Sequence, residues 1–142
     1  MNQQKNVSVV EAAYDAFKRG DIPALLNLLS DDVDWAVPGP AEIPFAGERQ
    51  GRNQVREFFR IVAESSDFDT FEPVDHIAQA DQVVTLGHYA GRAKNTGRRF
   101  ESNFAMKFRL RDGKIAGFQE YMDTANLAAA YAGAGVATAG AR

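Results

Sequence analysis

The stretch GKIAGFQEYMD, residues 113–123, is the most informative part of the sequence for both fold and function. Large apolar residues recur at nearly every second position, which is typical of a β-strand with one face against a core. Glu120 stands between Phe118 and Met122, where the alternation calls for another apolar residue. Side chains two positions apart share one face of a strand, so we expect the Glu120 carboxylate to point inward.

Three turn signals divide the second half of the chain into strand-like runs. They lie at Ala80-Asp81, at Asn95-Thr96-Gly97 and at Asp112-Gly113, the turn that precedes the opening stretch. Short turns of this composition join neighbouring antiparallel strands. The pattern therefore predicts four consecutive antiparallel strands.

The first half of the chain has the periodicity of helices. Asp21 is the predicted N-cap of a second helix, with Pro23 in its first turn. The apolar stripe of the first helix falls at helical spacing on Val10, Ala13, Tyr14 and Phe17, and that of the third falls on Val55, Phe58, Phe59 and Val62.

Together these patterns predict an α+β domain in which three N-terminal helices pack on a strongly curved antiparallel sheet and enclose a cone-shaped pocket. We expect a single domain over residues 1–132 and a flexible Ala/Gly-rich tail over residues 133–142.

Composition excludes several classes of function. The chain of 142 residues has no cysteine, so disulfides and thiolate chemistry are excluded. His76 and His88 are its two histidines and have no metal-ligand spacing, so we expect neither a metal nor another cofactor. A net charge of −3 argues against nucleic-acid binding. Because no apolar run is long enough to span a membrane, we expect a cytoplasmic protein without membrane contacts.

Four motifs carry a resemblance to a known family. With FKRGD (17–21), DDVDWAVPGP (31–40), PFAGERQGRNQVREFF (44–59) and RDGKIAGFQEYMDTANL (111–127), the chain resembles the nuclear transport factor 2-like superfamily. More narrowly, it is similar to the SnoaL-like, ketosteroid isomerase-related branch over nearly all of residues 8–131. The resemblance implies a cone-shaped fold with an internal pocket and a homodimer formed through the outer sheet face.

The resemblance also shows which catalytic residues are missing. The position of the proton-shuttling Asp of ketosteroid isomerases holds Val37, and that of their oxyanion-stabilising acid holds Met106. Their helix-one Tyr aligns with Ala13, although Tyr14 is adjacent. Steroid isomerisation by that mechanism is therefore rejected. In SnoaL-like cyclases the acid/base residue corresponds to Glu120, whereas the position of their partner His again holds Met106.

His88 is the candidate replacement for that missing partner. Alternation places Val84, Leu86, His88 and Ala90 on one face of a strand, and comparison with the isomerase branch turns this face toward the pocket. We therefore take Glu120 and His88 as candidate catalytic residues. The expected ligand-binding residues are Tyr14, Phe17, Trp35, Val37, Phe59, Leu86, Phe104, Met106, Phe118 and Met122.

Simpler roles stay open for both residues. Glu120 could pair with an arginine or with His88, or a bulge could turn it toward solvent. A lone inward histidine is more often a hydrogen-bonded core residue than a catalyst.

The functional prediction is the binding of a small hydrophobic or aromatic molecule in the internal pocket. An enzyme of this type would carry out cofactor-free isomerisation, cyclisation or dehydration with Glu120 as acid/base. The alternative is a non-catalytic module of the same fold that binds a small molecule or another protein.

Overall fold

The computed structural model describes residues 2–133. Met1 and residues 134–142, which include nearly all of the expected Ala/Gly-rich tail, lie outside the described residues. In chain order the elements are α1 Asn2–Arg19, α2 Ile22–Asn27, β1 Leu29–Val37, β2 Gly47–Gln50, α3 Arg52–Ser65, β3 Ser66–Gln79, β4 Gln82–Ala93, β5 Arg99–Arg111, β6 Lys114–Met122 and α4 Thr124–Tyr131.

The six strands form one curved sheet in the order β2-β1-β6-β5-β4-β3. Strands β3 to β6 pair consecutively and antiparallel, which confirms the four strands predicted from the turn signals. The sheet is nevertheless mixed, because β1 pairs with β6 in parallel. Register shifts interrupt the β3–β4 and β5–β6 ladders, and such bulges bend strands. The predicted α+β fold class is confirmed.

Local backbone chemistry accounts for the ends of these elements. Asp21 caps α2 by accepting a hydrogen bond of 3.2 Å from the Ala24 backbone N–H. Between β5 and β6, Asp112 (φ 54°) and Gly113 (φ 78°) both have the left-handed conformation that a tight two-residue hairpin requires.

The helices cover the concave side of the sheet. Helix α1 packs against β3 and β4, and α3 packs against β1 and β2. The hydrophobic core lies between these layers and is rich in aromatic rings. Within residues 2–133, no helix is both long and apolar enough to cross a membrane.

A fourth helix, α4, closes one end of the layers and is held by the β4–β5 hairpin. Asn95, Thr96 and Arg98 donate hydrogen bonds of 2.6–3.1 Å to the carbonyls of Tyr131, Ala130 and Ala129. These carbonyls belong to the last turn of the helix, where they have no partner within the helix. These three side chains of the β4–β5 hairpin therefore fix the position of α4.

Candidate functional site

Glu120 lies on the buried face of β6. The register places Thr85, Met106 and Glu120 directly opposite one another on β4, β5 and β6. All three face the helices, and Glu120 is only 4% exposed. A carboxyl group thus stands in a row of inward side chains beneath α1.

A cavity of about 70 Å³ lies between the helices and this row. An engineered cavity of about 150 Å³ binds benzene, so a ring-sized ligand requires wall side chains to move outward. The lining consists of Ala13, Tyr14, Phe17, Leu25, Leu29, Trp35, Phe45, Phe58, Phe59, Val62, Phe68, Phe71, Tyr89, Phe100, Met106, Phe108, Ile115, Phe118 and Glu120.

The Glu120 carboxyl has one side-chain partner among residues 2–133. The Tyr89 hydroxyl donates a hydrogen bond of 2.6 Å to Glu120 Oε2. Burial raises the pKa of Glu120 from its ordinary 4.5 to about 7, and the Tyr89 hydrogen bond opposes this rise. Burial and the nearby carboxyl both raise the pKa of Tyr89, which stays a proton donor. Near neutral pH, Glu120 can therefore either give or take a proton.

Tyr14 brings a second hydroxyl to the cavity from α1. Its oxygen lies 3.1 Å from Met106 Sδ, to which it donates a hydrogen bond. Burial raises the pKa of Tyr14, and the nearby Thr85 hydroxyl partly opposes this effect. Thioether sulfur is a weak acceptor, so the Tyr14 hydroxyl can exchange this partner for a ligand oxygen.

Trp35 is the remaining lining residue with a polar side-chain atom. Its ring stacks on Phe118 with centroids 4.0 Å apart and an interplanar angle of 20°. Its Nε1 is the one buried side-chain nitrogen or oxygen without a hydrogen-bond partner in the described part of the chain.

Three phenylalanines are the least buried side chains of the cavity lining. Phe17, Phe68 and Phe71 line the cavity and are only partly buried. The Phe17 and Phe71 ring centroids are 4.9 Å apart, and those of Phe68 and Phe71 are 5.7 Å apart. These rings are the lining side chains that can move most readily to admit a ligand.

Most of the residues predicted for the pocket lie on its wall. Those that line the cavity are Tyr14, Phe17, Trp35, Phe59, Met106, Phe118 and Glu120. Three others are outside the lining. Val37 is buried in the core, Phe104 packs behind Tyr89 at a centroid distance of 5.4 Å, and Met122 is half-buried at the margin of the core.

The predicted orientation of Leu86 and His88 is wrong. Leu86 is 39% exposed. His88 Nδ1 lies 3.0 Å from Asn103 Oδ1, and its Nε2 lies 3.6 Å from a Glu101 oxygen. These partners lie on the outer sheet surface, away from the cavity. His88 is therefore not a partner for Glu120.

Two glycines explain why the residue pattern of β4 predicts the wrong face as the inward one. The inward face holds Thr85 and Tyr89 together with Gly87 and Gly91. A Cβ at Gly87 would collide with the Glu72 carbonyl oxygen and the Phe104 ring, and one at Gly91 with the Asp67 carbonyl and Phe100. Phenylalanine rings of β5 fill the space above these glycines. The buried face of β4 therefore has few large side chains of its own, although buried strand faces usually have many.

Tyr89, the partner of Glu120, was missed for the same reason. A signal for it exists in the hairpin, because His88 pairs directly with Asn103 across the turn at residues 95–97. A residue paired with an outward-facing side chain faces outward too, and its neighbour Tyr89 then faces inward.

The ionisable groups of the site do not suggest a metal centre. Within residues 2–133, no group of three or more His, Cys, Asp or Glu side chains is arranged to hold a metal ion. The only acid in the cavity lining described above is Glu120.

Comparisons with known proteins identify the family. The model of the SnoaL-like domain matches residues 10–118. No curated protein gives a significant match. An NTF2-like protein from Burkholderia xenovorans LB400 is 32% identical, with a TM-score of 0.84 over 91% of this chain and 97% of that one.

Two further structures share the fold. An NTF2-like protein of unknown function from Burkholderia pseudomallei K96243 is 28% identical, with a TM-score of 0.82 over 90% of this chain and 98% of that one. TerC, co-crystallised with polyporic acid, is 23% identical, with a TM-score of 0.77 over 89% of this chain and 98% of TerC. Because the domain model covers most of its length, the chain belongs to the SnoaL-like domain family of the NTF2-like superfamily.

Proposed function

We propose that the protein binds a small hydrophobic or aromatic molecule in the cavity and that Glu120 transfers a proton to and from it. The observation that supports this most is a carboxyl group that is 4% exposed, lines an apolar cavity and has a single hydroxyl partner. Buried acids without a cationic partner are costly and are therefore uncommon outside functional sites.

The chemistry needs only groups that the cavity contains. Glu120 as carboxylate takes a proton from a carbon next to a ligand carbonyl. The electron pair of the broken C–H bond then forms the carbon–carbon double bond of an enolate, and the negative charge moves to the carbonyl oxygen. The proton then returns from Glu120 to another position, or leaves with a hydroxyl group as water. Such steps give isomerisation, cyclisation or dehydration, and an acid whose pKa is about 7 suits both directions.

Tyr14, rather than the outward-facing His88, polarises the ligand carbonyl. Its hydroxyl is held by a thioether sulfur, and a developing enolate oxygen would be a stronger acceptor. Because burial raises its pKa, Tyr14 stays protonated and donates a hydrogen bond throughout the reaction.

A non-catalytic ligand carrier is the second candidate. It is favoured by Val37 and Met106, whose side chains cannot move protons at the positions where related enzymes have their acids and histidine. TerC, which shares the fold, was co-crystallised with polyporic acid. A carrier of this kind would use the same aromatic cavity and retain Glu120 only for orientation.

Exchange of the α-hydrogens of acetophenone in D₂O, followed by ¹H NMR, separates the two candidates. The wild-type protein should accelerate exchange over buffer, and Glu120→Gln should reduce the rate to that of buffer. Glutamine keeps the shape of the side chain and an oxygen for the Tyr89 hydroxyl, so the fold should persist. Equal rates for the wild type and the variant would remove Glu120 from the mechanism. Binding without any exchange would support the carrier.

We also propose that two copies of the protein associate through the outer sheet face. Leu86 on β4 and Tyr121 on β6 are 39% and 53% exposed. Both pair with Ala105 on the strand between them, β5, so the three side chains form one row on the outer face. An apolar patch on an otherwise open sheet face is a common site of association between identical chains. The cytoplasmic location expected from the sequence stays a prediction.

A further inference from the structure

Trp35 carries a buried hydrogen-bond donor that no group of the described chain satisfies. Its Nε1 has no partner, and the residue is 5% exposed. An indole N–H can only donate, and a buried donor without an acceptor costs free energy. Trp35 also lines the cavity, so a bound molecule with an acceptor atom is a candidate for the missing partner.

The surrounding rings prevent Trp35 from turning toward another partner. Phe118 stacks on it at 4.0 Å, and Phe58 and Phe59 lie at centroid distances of 5.6 and 5.5 Å. Aromatic faces are weak acceptors compared with a carbonyl oxygen. The indole is thus held in place beside the cavity with its donor unused.

Trp35 and Glu120 lie on the same face of the sheet. Trp35 pairs with Phe118 on the neighbouring strand, and Glu120 follows Phe118 by two positions. Strand spacing and rise separate the Cα atoms of Trp35 and Glu120 by roughly 8 Å. A molecule of about one ring with a short substituent can reach both groups.

We propose that Trp35 Nε1 is the specificity-determining donor of the cavity and selects an aromatic ligand that carries a neutral acceptor oxygen, as in an aryl ketone or aldehyde. This inference rests on the proposed ligand-binding function and adds to it the chemical class of the ligand. The apolar wall holds the ring, Trp35 binds the oxygen in addition to the Tyr14 hydroxyl assigned above, and Glu120 faces the remainder of the molecule.

Acetophenone and cumene test the proposal, since they have nearly the same shape and only acetophenone carries an acceptor oxygen. Trp35 is the single tryptophan of the chain, so the ¹⁵N-labelled protein gives one indole N–H signal. Acetophenone should move the indole proton downfield, as expected for a new hydrogen bond, whereas cumene should not produce this downfield shift.

Calorimetric titration of variants provides the second measurement. Trp35→Phe should weaken acetophenone binding by roughly tenfold more than it weakens cumene binding. Tyr121→Phe is the matched control, because Tyr121 is a 53% exposed aromatic residue outside the cavity lining and its substitution should leave the binding of both compounds unchanged.

Each outcome bears on a different claim. If acetophenone binds without moving the indole signal, or if Trp35→Phe weakens both ligands equally, the acceptor site is overturned and the proposed function survives. The same holds if Tyr121→Phe reduces the preference as much as Trp35→Phe does. If neither compound binds the wild-type protein, the proposed function and the acceptor site are both overturned. The NMR result needs no variant and therefore stands even if Trp35→Phe does not fold.

Discussion

The Tyr89 hydroxyl donates a hydrogen bond of 2.6 Å to Glu120 Oε2 within the aromatic core. Two opposing effects meet in this pair. Burial raises the pKa of the carboxyl group to about 7, while the hydrogen bond stabilises its charged form. Burial is the larger of the two effects, and the Tyr89 hydrogen bond increases the ionised fraction of Glu120 by opposing it.

Removal of the Tyr89 hydroxyl should raise the pKa of Glu120. In Tyr89→Phe the carboxylate loses its hydrogen-bond donor while the ring continues to exclude water, so the burial effect acts alone. A ¹³C NMR titration of the glutamate carboxyl carbons would measure the change. The rise of α-hydrogen exchange with pH should move to higher pH with it.

Two variants control for general effects. Tyr121→Phe removes a hydroxyl from a side chain that is 53% exposed, and His88→Ala removes the imidazole on the outer face. Both should leave the pKa of Glu120 unchanged. An unchanged or lowered pKa in Tyr89→Phe would contradict the role assigned to the hydrogen bond.

The raised pKa of Glu120 also predicts how stability depends on pH. The folded protein holds the Glu120 proton up to about pH 7, whereas the unfolded chain releases it near its ordinary pKa of 4.5. The folded state thus binds more protons over this range, so the free energy of unfolding falls as pH rises from about 4.5 to 7. The loss should be about 3 kcal/mol and level off above pH 7.

Urea unfolding of the wild type and Glu120→Gln between pH 4.5 and 8 would isolate this effect. Glutamine does not titrate, so the difference in stability should grow in favour of the variant with rising pH. Other titrating groups are common to both proteins and cancel in the comparison. Parallel curves over this range would show that the pKa of Glu120 is not raised by folding.

Sequence patterns predicted the α+β fold class, the four consecutive antiparallel strands and the inward orientation of Glu120. The turn at Asp112-Gly113 fixes where β6 begins, and the alternation of Phe118, Glu120 and Met122 then gives the inward face. The patterns failed on β4, where glycines occupy inward positions because rings of β5 pack against them. Leu86 and His88 lie on the outer face, where their size and alternation led to the incorrect prediction that they line the cavity.

The parallel pairing of β1 with β6 was also beyond these patterns. It joins residues far apart in the chain, and Trp35 is placed against Phe118 only by that pairing. Hairpin signals report neighbouring strands alone. The unused donor of Trp35 could likewise not be foreseen, since it depends on which groups the folded chain brings near the indole.

Gly87→Ala tests the inward orientation of β4. Its Cβ would meet the Glu72 carbonyl oxygen and the Phe104 ring, and a backbone atom cannot rotate away. The variant should lose roughly 1–3 kcal/mol of unfolding free energy or more, as measured by urea denaturation. Gly133→Ala is the control, because a Cβ there meets nothing within 4 Å. Equal stability of the two variants would place residue 87 on the open face.

Leu86→Glu tests association through the outer sheet face. In a symmetric dimer each patch meets its own copy, so one substitution places two carboxylates in the apolar centre of the contact. Leu86 and Tyr121 flank Ala105 across three strands, and a charge at this point would be desolvated on association. Light scattering coupled to size-exclusion chromatography should show a wild-type dimer and a variant monomer. Ala12→Glu, which adds the same charge to an exposed position of α1, should stay dimeric. Because Leu86 does not line the cavity, the Leu86→Glu monomer should still bind acetophenone. A wild-type protein that is monomeric in solution would refute the dimer.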